Sequence, residues 1–183
     1  PYGNLSADFG ATTYLWDEMP VSLQGDNPYL ATAMYHCGVS VNMFYGAYAS
    51  GAFQRDIPAA LSSYFGYGPS QNLVRDDYPY DEWVAIMYDA LDAAIPILYS
   101  GKDGGSQGHS FICDGYDSNG LFHINWSWGG VLDGYFSIDN LQTYNQNWNI
   151  SQEMVANVRP LPVYNATPKA PTDFAVEPLS DAS

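Results

Sequence analysis

Few side chains in this 183-residue sequence could carry nucleophilic or acid–base chemistry. The histidines and cysteines are His36, His109, His123, Cys37 and Cys113. A thiol attacks a carbonyl carbon as its thiolate, and a neighbouring imidazolium lowers the thiol pKa by stabilising that anion. A third group then fixes the orientation and tautomer of the imidazole. A catalytic histidine would therefore need a polar partner on one side of its ring and a thiol on the other.

His109 opens a stretch that has the pattern of a β-hairpin. Residues 109–116 and 121–128 are predicted strands, and the Asn119-Gly120 pair between them is a strong hairpin signal. Residue 109 and residues 125–130 then lie at the same end of the hairpin. Side chains alternate between the two faces of a strand. On the first strand His109, Phe111 and Cys113 therefore share one face. On the second strand His123, Asn125 and Ser127 share one face.

Spacing alone leaves each histidine with an ordinary interpretation. A histidine beside a glycine at a strand start, as at His109, is more often structural than catalytic. His123 lies inside an aromatic strand and is predicted to be a packed or hydrogen-bonded core residue, while His36 near a helix end could interact with the helix dipole. The glycine-rich residues 104–108 would nevertheless let a substrate backbone approach His109.

Three helices are predicted before the hairpin, over residues 28–37, 53–65 and 81–94. Asp26 or Asn27 would cap the first and Gly38 would end it. Its apolar face is expected to comprise Leu30, Met34 and Cys37, and that of the third Trp83, Ile86, Met87, Ala90 and Leu91. Further strands are predicted over residues 95–99 and 134–138, so the fold class is α+β with a largely antiparallel sheet.

Composition excludes several classes of protein. Hydrophobic residues make up 46% of the chain, which excludes a disordered chain. The net charge of −15 comes from 20 acidic and 5 scattered basic residues, which disfavours binding to nucleic acid or to an anionic membrane. No apolar run is long enough to be inserted in a membrane. No cofactor is predicted. A metal site would have to draw on two histidines and five acidic residues, namely His109, His123, Asp76, Asp77, Asp81, Glu82 and Asp114. The sequence has neither a helical His-Glu-x-x-His pattern nor a calcium-loop spacing, so no metal site is predicted.

The ends of the sequence suggest a piece of a larger protein. The first residue is Pro1, no signal-peptide pattern is visible, and a processed product or an excised piece is expected. Residues 161–183 are rich in proline and predict a linker or the start of another module, with a weak similarity to a fibronectin-like opening at residues 170–174. The main domain is therefore predicted to cover residues 1–160.

The hairpin carries a specific resemblance to a known family. Its first strand reads Gly-His-Ser-Phe-Ile-Cys-Asp-Gly-Tyr from Gly108, and its second reads Phe-His-Ile-Asn-Trp-Ser-Trp-Gly-Gly from Phe122, followed by Asp-Gly-Tyr-Phe from Asp133. This block resembles the histidine region of the streptopain-like family of papain-like cysteine peptidases. Upstream segments such as Gly-Val-Ser-Val-Asn-Met from Gly38 match in the same order, so the resemblance covers roughly residues 12–158.

The resemblance implies a papain-like fold, mainly its antiparallel-sheet half, and assigns His109 as the catalytic histidine. Asn125 and Trp126 occupy the segment that orients the ring, and Gly108, Trp128 and Gly129 would border the substrate cleft. An asparagine carbonyl can accept a ring N–H, whereas an indole can only donate, which favours Asn125 as the partner. The resemblance itself points at least as much to Trp126.

Neither cysteine matches the family's nucleophile, which the resemblance places on a helix before the region of Tyr14. Cys37 aligns with a later stretch and lies on the apolar face of its predicted helix, and Cys113 is expected in the core. The nucleophilic cysteine is therefore expected on an absent segment, either an N-terminal partner chain separated by proteolytic processing or a part of the same protein. This chain alone should then be nearly inactive.

The function implied is a secreted or cell-surface endopeptidase that cleaves polypeptides through a Cys–His thiolate–imidazolium pair. The alternative is a peptidase-like fold that only binds peptides, as an inactive fragment or a non-catalytic module.

Overall fold

The computed structural model describes residues 3–105 and 107–162. These residues form two compact units, one up to Gly66 and one over Tyr67–Leu161. The predicted boundary at residue 160 lies one residue before the end of the second unit. The predicted linker or module lies, from residue 163 onward, outside the described residues.

The first unit is built around two helices and a short ribbon. Helix α1 spans Pro28–Ser40 and helix α2 spans Ile57–Tyr64, and the two-residue strands β1 (Phe44–Tyr45) and β2 (Ser50–Gly51) pair between them. Asn27 caps α1 as predicted, because its side chain accepts a hydrogen bond of 2.8 Å from the Leu30 N–H.

Helix α1 continues through Gly38, the residue predicted to end it. A Cβ atom at Gly38 would lie 1.8 Å from the hydroxyl of Tyr45. Glycine at this position therefore permits close packing of a tyrosine against the helix and has no role in stopping it.

The buried face of α1 differs from the predicted one. Ala33, His36 and Val39 are buried, whereas Met34 and Cys37 on the expected apolar face are exposed. The reason is the chain before the helix, because the Tyr14 hydroxyl lies 2.8 Å from His36 Nδ1 and other aromatic rings of the first unit pack beside that histidine. Burial lowers the pKa of His36, which disfavours the charged form that would interact most strongly with the helix dipole.

The second unit is one helix packed on an antiparallel sheet of six strands. Helix α3 spans Tyr80–Asp92, and the strands lie in the order β3-β8-β4-β5-β6-β7. The strand bounds are β3 (Gln71–Val74), β4 (Ile97–Lys102), β5 (Gly108–Tyr116), β6 (Phe122–Asn125), β7 (Gly134–Phe136) and β8 (Ile150–Ala156). The prediction of an α+β fold with three helices and a largely antiparallel sheet is confirmed.

The core of the second unit lies where α3 meets the sheet. The predicted stripe of α3 supplies Trp83 and Met87, which are fully buried, and the rest of that stripe packs against the core. Trp83 Nε1 donates to the Tyr99 hydroxyl at 3.0 Å, and that hydroxyl donates to Gln152 Oε1 at 3.1 Å. This chain of two hydrogen bonds connects α3 with β4 and β8.

The predicted hairpin is β5 and β6. Asp117 Oδ1 accepts from the N–H groups of Asn119 and Leu121 at 2.9 Å each, and Gly120 has a φ of +79°, a conformation that favours glycine. The register pairs Ile112 with Asn125 and shifts between Cys113 and Gly115. None of the described helices is both long and apolar enough to cross a membrane.

Candidate active site

His109 lies one residue into β5, opposite Gly101 of β4, and its side chain is half-buried. Phe111 and Cys113, which follow on the same strand face, are fully buried. A Cβ atom at Gly101 would lie 2.0 Å from the Trp148 carbonyl oxygen, so glycine there allows the 148 segment to pass close to the start of β5. The imidazole is thus anchored beside the core and still reaches the surface.

One ring nitrogen of His109 has a main-chain partner. Nε2 lies 2.9 Å from the carbonyl oxygen of Trp126. A carbonyl oxygen can only accept, so Nε2 carries the hydrogen and donates it. In the neutral ring the lone pair is then on Nδ1, which has no hydrogen bond to any residue in the described ranges. Nδ1 is therefore the atom at which this histidine can take up a proton.

Indole rings surround the imidazole. Trp128 stacks on it with ring centroids 4.8 Å apart and an interplanar angle of 26°, and Trp148 lies 5.3 Å away. Trp126 is fully buried, at 6.3 Å, and its Nε1 has no hydrogen-bond partner among the described residues. These rings restrict the rotation of the imidazole and exclude water from part of its surface.

Asn125, the partner favoured from its chemistry, is placed differently. It pairs with Ile112, so its side chain lies on the face of the hairpin opposite to that of Phe111 and His109. Its Oδ1 accepts a hydrogen bond of 2.8 Å from the Ser127 N–H. Because side chains alternate along a strand, the residue next to Asn125 is the one on the face of His109. In the structure the observed partner of the ring is the backbone carbonyl of Trp126.

The loop between β6 and β7 delivers both tryptophans to the histidine. Asp133 Oδ1 accepts a hydrogen bond of 2.8 Å from the Trp126 N–H, which closes this loop. Backbone φ angles are positive at Ser127 (62°), Gly129 (67°), Gly130 (87°) and Leu132 (66°). Asp133 and Trp148 were not among the predicted site residues. Asp133 had a signal, its place in the motif shared with the family, whereas Trp148 had none.

The predicted cleft residues Gly108 and Gly129 are exposed, and Trp128 is half-buried. A Cβ atom at Gly129 would meet no atom within 4 Å. On the approach to His109, Asp103 Oδ1 accepts from the N–H groups of Gly105 and Gln107 at 3.0 and 3.1 Å. Gly129 therefore leaves open space for a polypeptide backbone next to Trp128, the residue that stacks on the ring.

Both cysteines are free thiols, and neither has the surroundings of an activated nucleophile. Cys113 is fully buried, and burial raises its pKa to about 12. It lies four residues along β5 from His109, roughly 13 Å at the rise of an extended strand. Cys37 lies on the exposed side of α1, contrary to the predicted buried face, yet desolvation also raises its thiol pKa.

His123, predicted to be a packed or hydrogen-bonded core residue, is hydrogen-bonded and half-exposed. Its Nδ1 is hydrogen-bonded to Asp114 Oδ1, and its ring meets Tyr135 edge to face at 5.1 Å. Within residues 3–105 and 107–162 no group of three or more histidine, cysteine, aspartate or glutamate side chains is arranged to hold a metal ion.

Comparison with known proteins places this geometry in a family. The profile of the Peptidase C10 family matches residues 2–136. The thiol protease/hemagglutinin PrtT of Porphyromonas gingivalis is 34% identical over 168 residues, which cover 85% of this chain and 19% of that protein. Streptopain of Streptococcus pyogenes is 33% identical over 144 residues, which cover 75% of this chain and 36% of that protein. The chain thus spans well under half of the length of both relatives.

Solved structures agree with the sequence matches. The active wild-type interpain A cysteine protease of Prevotella intermedia superposes with a TM-score of 0.77 and 38% identity, over 81% of this chain and 65% of that one. A prointerpain A fragment from the same organism gives a TM-score of 0.74 and 37% identity, over 85% of this chain and 51% of that one. The predicted cysteine-peptidase fold is confirmed by these superpositions. Taken with the profile match, they establish that the chain belongs to the Peptidase C10 family of cysteine peptidases.

Proposed function

We propose that this chain is the histidine-bearing part of an endopeptidase that cleaves polypeptides by a thioester route, with His109 as the acid–base catalyst. The observation that carries the proposal is the hydrogen bond from His109 Nε2 to the Trp126 carbonyl. This bond fixes the tautomer and leaves Nδ1 as an acceptor with no hydrogen bond to any described residue, on a half-buried ring. A thiol placed at Nδ1 would have the base that a cysteine nucleophile requires.

The nucleophile is proposed to lie on a polypeptide segment outside these 183 residues, as an N-terminal part of the same protein or a processed partner chain. Support comes from the two thiols that are present. Cys113 is buried four residues along the strand from His109 and has a raised pKa. Cys37 also has a raised thiol pKa. A cysteine nucleophile needs the opposite shift, toward the thiolate. Alone, this chain is therefore proposed to be nearly inactive.

The proposed reaction has two halves. The thiol proton passes to His109 Nδ1, and the thiolate sulfur attacks the scissile carbonyl carbon. The resulting imidazolium returns the proton to the leaving amine as the C–N bond breaks, which leaves an acyl thioester. In the second half a water molecule loses a proton to Nδ1 and attacks the thioester, and the sulfur leaves with a proton. The Trp126 carbonyl holds Nε2–H throughout and stabilises the imidazolium.

The substrate is proposed to be an exposed segment of polypeptide outside the cell. Gly108, which precedes His109, and Gly129, which follows Trp128, are exposed and would admit a substrate backbone, while Trp128 would border the cleft. Localisation to the cell exterior is supported by the resemblance to streptopain-like enzymes and by the acidic composition, with a net charge of −15.

The test is a pair of histidine substitutions in the full-length protein. His109→Ala should lower kcat/KM for a peptide substrate by on the order of 10⁴-fold or more, because a member of the catalytic set is lost. His123→Ala is the matched control, a histidine on the same hairpin, and should leave kcat/KM within about twofold while it lowers thermal stability slightly. Near-normal turnover in His109→Ala would overturn the assignment. A full-length protein that binds peptides and leaves them uncut would instead indicate the non-catalytic alternative.

A further inference from the structure

A single residue, Trp126, links the histidine to an aspartate on the far side of its loop. Its carbonyl oxygen accepts from His109 Nε2 at 2.9 Å, and its own N–H donates to Asp133 Oδ1 at 2.8 Å. We propose that Asp133 is a positioning residue for His109, acting through the main chain of Trp126. The inference deepens the proposed function and rests on it for its kinetic consequence.

Trp126 needs such support because regular pairing ends just before it. Strand β6 ends at Asn125, and the last pair between β6 and β7 is Ile124 with Gly134. The Trp126 carbonyl is therefore placed by the loop that follows, not by a strand ladder. Any displacement of that loop moves the acceptor that holds the His109 ring.

The loop between β6 and β7 contains backbone conformations that are energetically unfavourable for residues other than glycine. Ser127 and Leu132 have φ angles of 62° and 66°, in the left-handed region that side-chain-bearing residues rarely adopt. Such conformations persist only where surrounding contacts hold them. Asp133 supplies one of these contacts directly at Trp126, and Asn125 supplies another at the Ser127 N–H.

A half-buried carboxylate is well suited to this task. Hydrogen bonds from a main-chain N–H to a charged oxygen are shorter and stronger than neutral ones. Asp133 follows directly after the strained Leu132 and its side chain returns to the first residue of the loop, so one hydrogen bond fixes both ends. The role belongs to the acceptor oxygen, so an asparagine with the same shape should preserve it.

Loss of this hydrogen bond should free the Trp126 carbonyl and with it the imidazole. The ring could then adopt the tautomer with hydrogen on Nδ1, which cannot accept a proton from a thiol at that atom. Misplacement of a catalytic group by about 1 Å can lower the rate on the order of 10²-fold. The loss should appear in kcat, with KM changed little, because Asp133 is proposed to act through the main chain of Trp126 and not on the substrate.

The experiment compares Asp133→Ala, Asp133→Asn and the control Asp139→Ala in the full-length protein. Asp139 is an exposed acidic residue whose carboxylate lies 3.9 Å from Arg75. Nitrogen-15 NMR of the imidazole reports the tautomer of His109 directly, and hydrolysis of a peptide substrate gives kcat and KM. In the wild type, Asp133→Asn and Asp139→Ala, neutral His109 should carry its hydrogen on Nε2. In Asp133→Ala both tautomers should appear and kcat should fall about 10- to 100-fold.

A single Nε2–H tautomer with unchanged kcat in a folded Asp133→Ala protein would overturn the inference. An Asp133→Asn protein as impaired as the alanine variant would overturn it too, because the acceptor is retained there. If the alanine variant fails to fold, Asp133→Glu, which moves the acceptor by one methylene, should show the mixed tautomers instead. A wild-type protein without peptidase activity would contradict the proposed function alone, since the tautomer measurement still decides the role of Asp133.

Discussion

The two faces of the β5–β6 hairpin each carry a histidine, and the two imidazole rings differ in the kind of group to which they are hydrogen-bonded. On one face His109 donates to the backbone carbonyl of the fully buried Trp126 and stacks on Trp128. On the other face His123 meets the side chain of Asp114, which is itself 37% exposed. The partner of His109 is a fixed main-chain group, whereas the partner of His123 is a surface side chain that can move.

This contrast teaches which features distinguish a catalytic histidine from a structural one. A general base needs a fixed ring, one nitrogen committed to an acceptor and the other left free beside open space. His109 has these features. The partner of His123 is an exposed side-chain carboxylate instead of the main-chain acceptor seen at His109. A carboxylate in contact with a histidine occurs in catalytic triads, but the Asp114–His123 pair lacks the fixed surroundings that His109 has.

The aromatic neighbours of the two rings offer the larger test of this comparison. Trp128 covers His109 and Tyr135 meets His123 edge to face. Trp128→Ala should lower kcat/KM of the full-length protein roughly tenfold, because the imidazole loses its orientation and its shield from water. Tyr135→Ala, the matched control, should leave kcat/KM within about twofold. Equal losses in both variants would show that the two faces do not differ in function.

The aspartates give a smaller effect and sharpen the same comparison. Asp114→Ala removes the carboxylate from His123 at a half-exposed site. Such surface pairs contribute at most about 1 kcal/mol, so the free energy of unfolding in urea should fall by that amount or less. Peptide hydrolysis should not change. A tenfold loss of kcat in Asp114→Ala would place His123 in the catalytic machinery and contradict the distinction between the faces.

Sequence patterns predicted the parts of the fold whose signals are local. Alternating side chains and the Asn119-Gly120 turn predicted the hairpin. An apolar stripe predicted α3, and two residues of that stripe, Trp83 and Met87, are fully buried. Strands β3 and β8 were missed, because their burial depends on pairing with each other and, for β8, with β4, a long-range contact that no local pattern reveals.

The sequence identified the central histidine of the candidate site, but it did not settle which group is hydrogen-bonded to that histidine. The family motif identifies His109, and the hairpin register brings Trp126 to it. The chemistry of the amide favoured Asn125 as the partner of the ring, whereas in the structure its side chain lies on the other face of the hairpin and accepts from the Ser127 N–H. The face of α1 that carries Cys37 was misjudged because rings from the preceding residues bury the opposite face.

The central claim is that His109 acts as the base for a cysteine thiol that lies outside these 183 residues. Labelling the full-length protein at neutral pH with a thiol-reactive peptide inhibitor, followed by mass spectrometry of its peptides, tests it most directly. The label should fall on one cysteine beyond this sequence and should disappear in His109→Ala, while Cys113, whose pKa is raised to about 12, stays protonated and unmodified. A stoichiometric label on Cys37 or Cys113 would contradict the account.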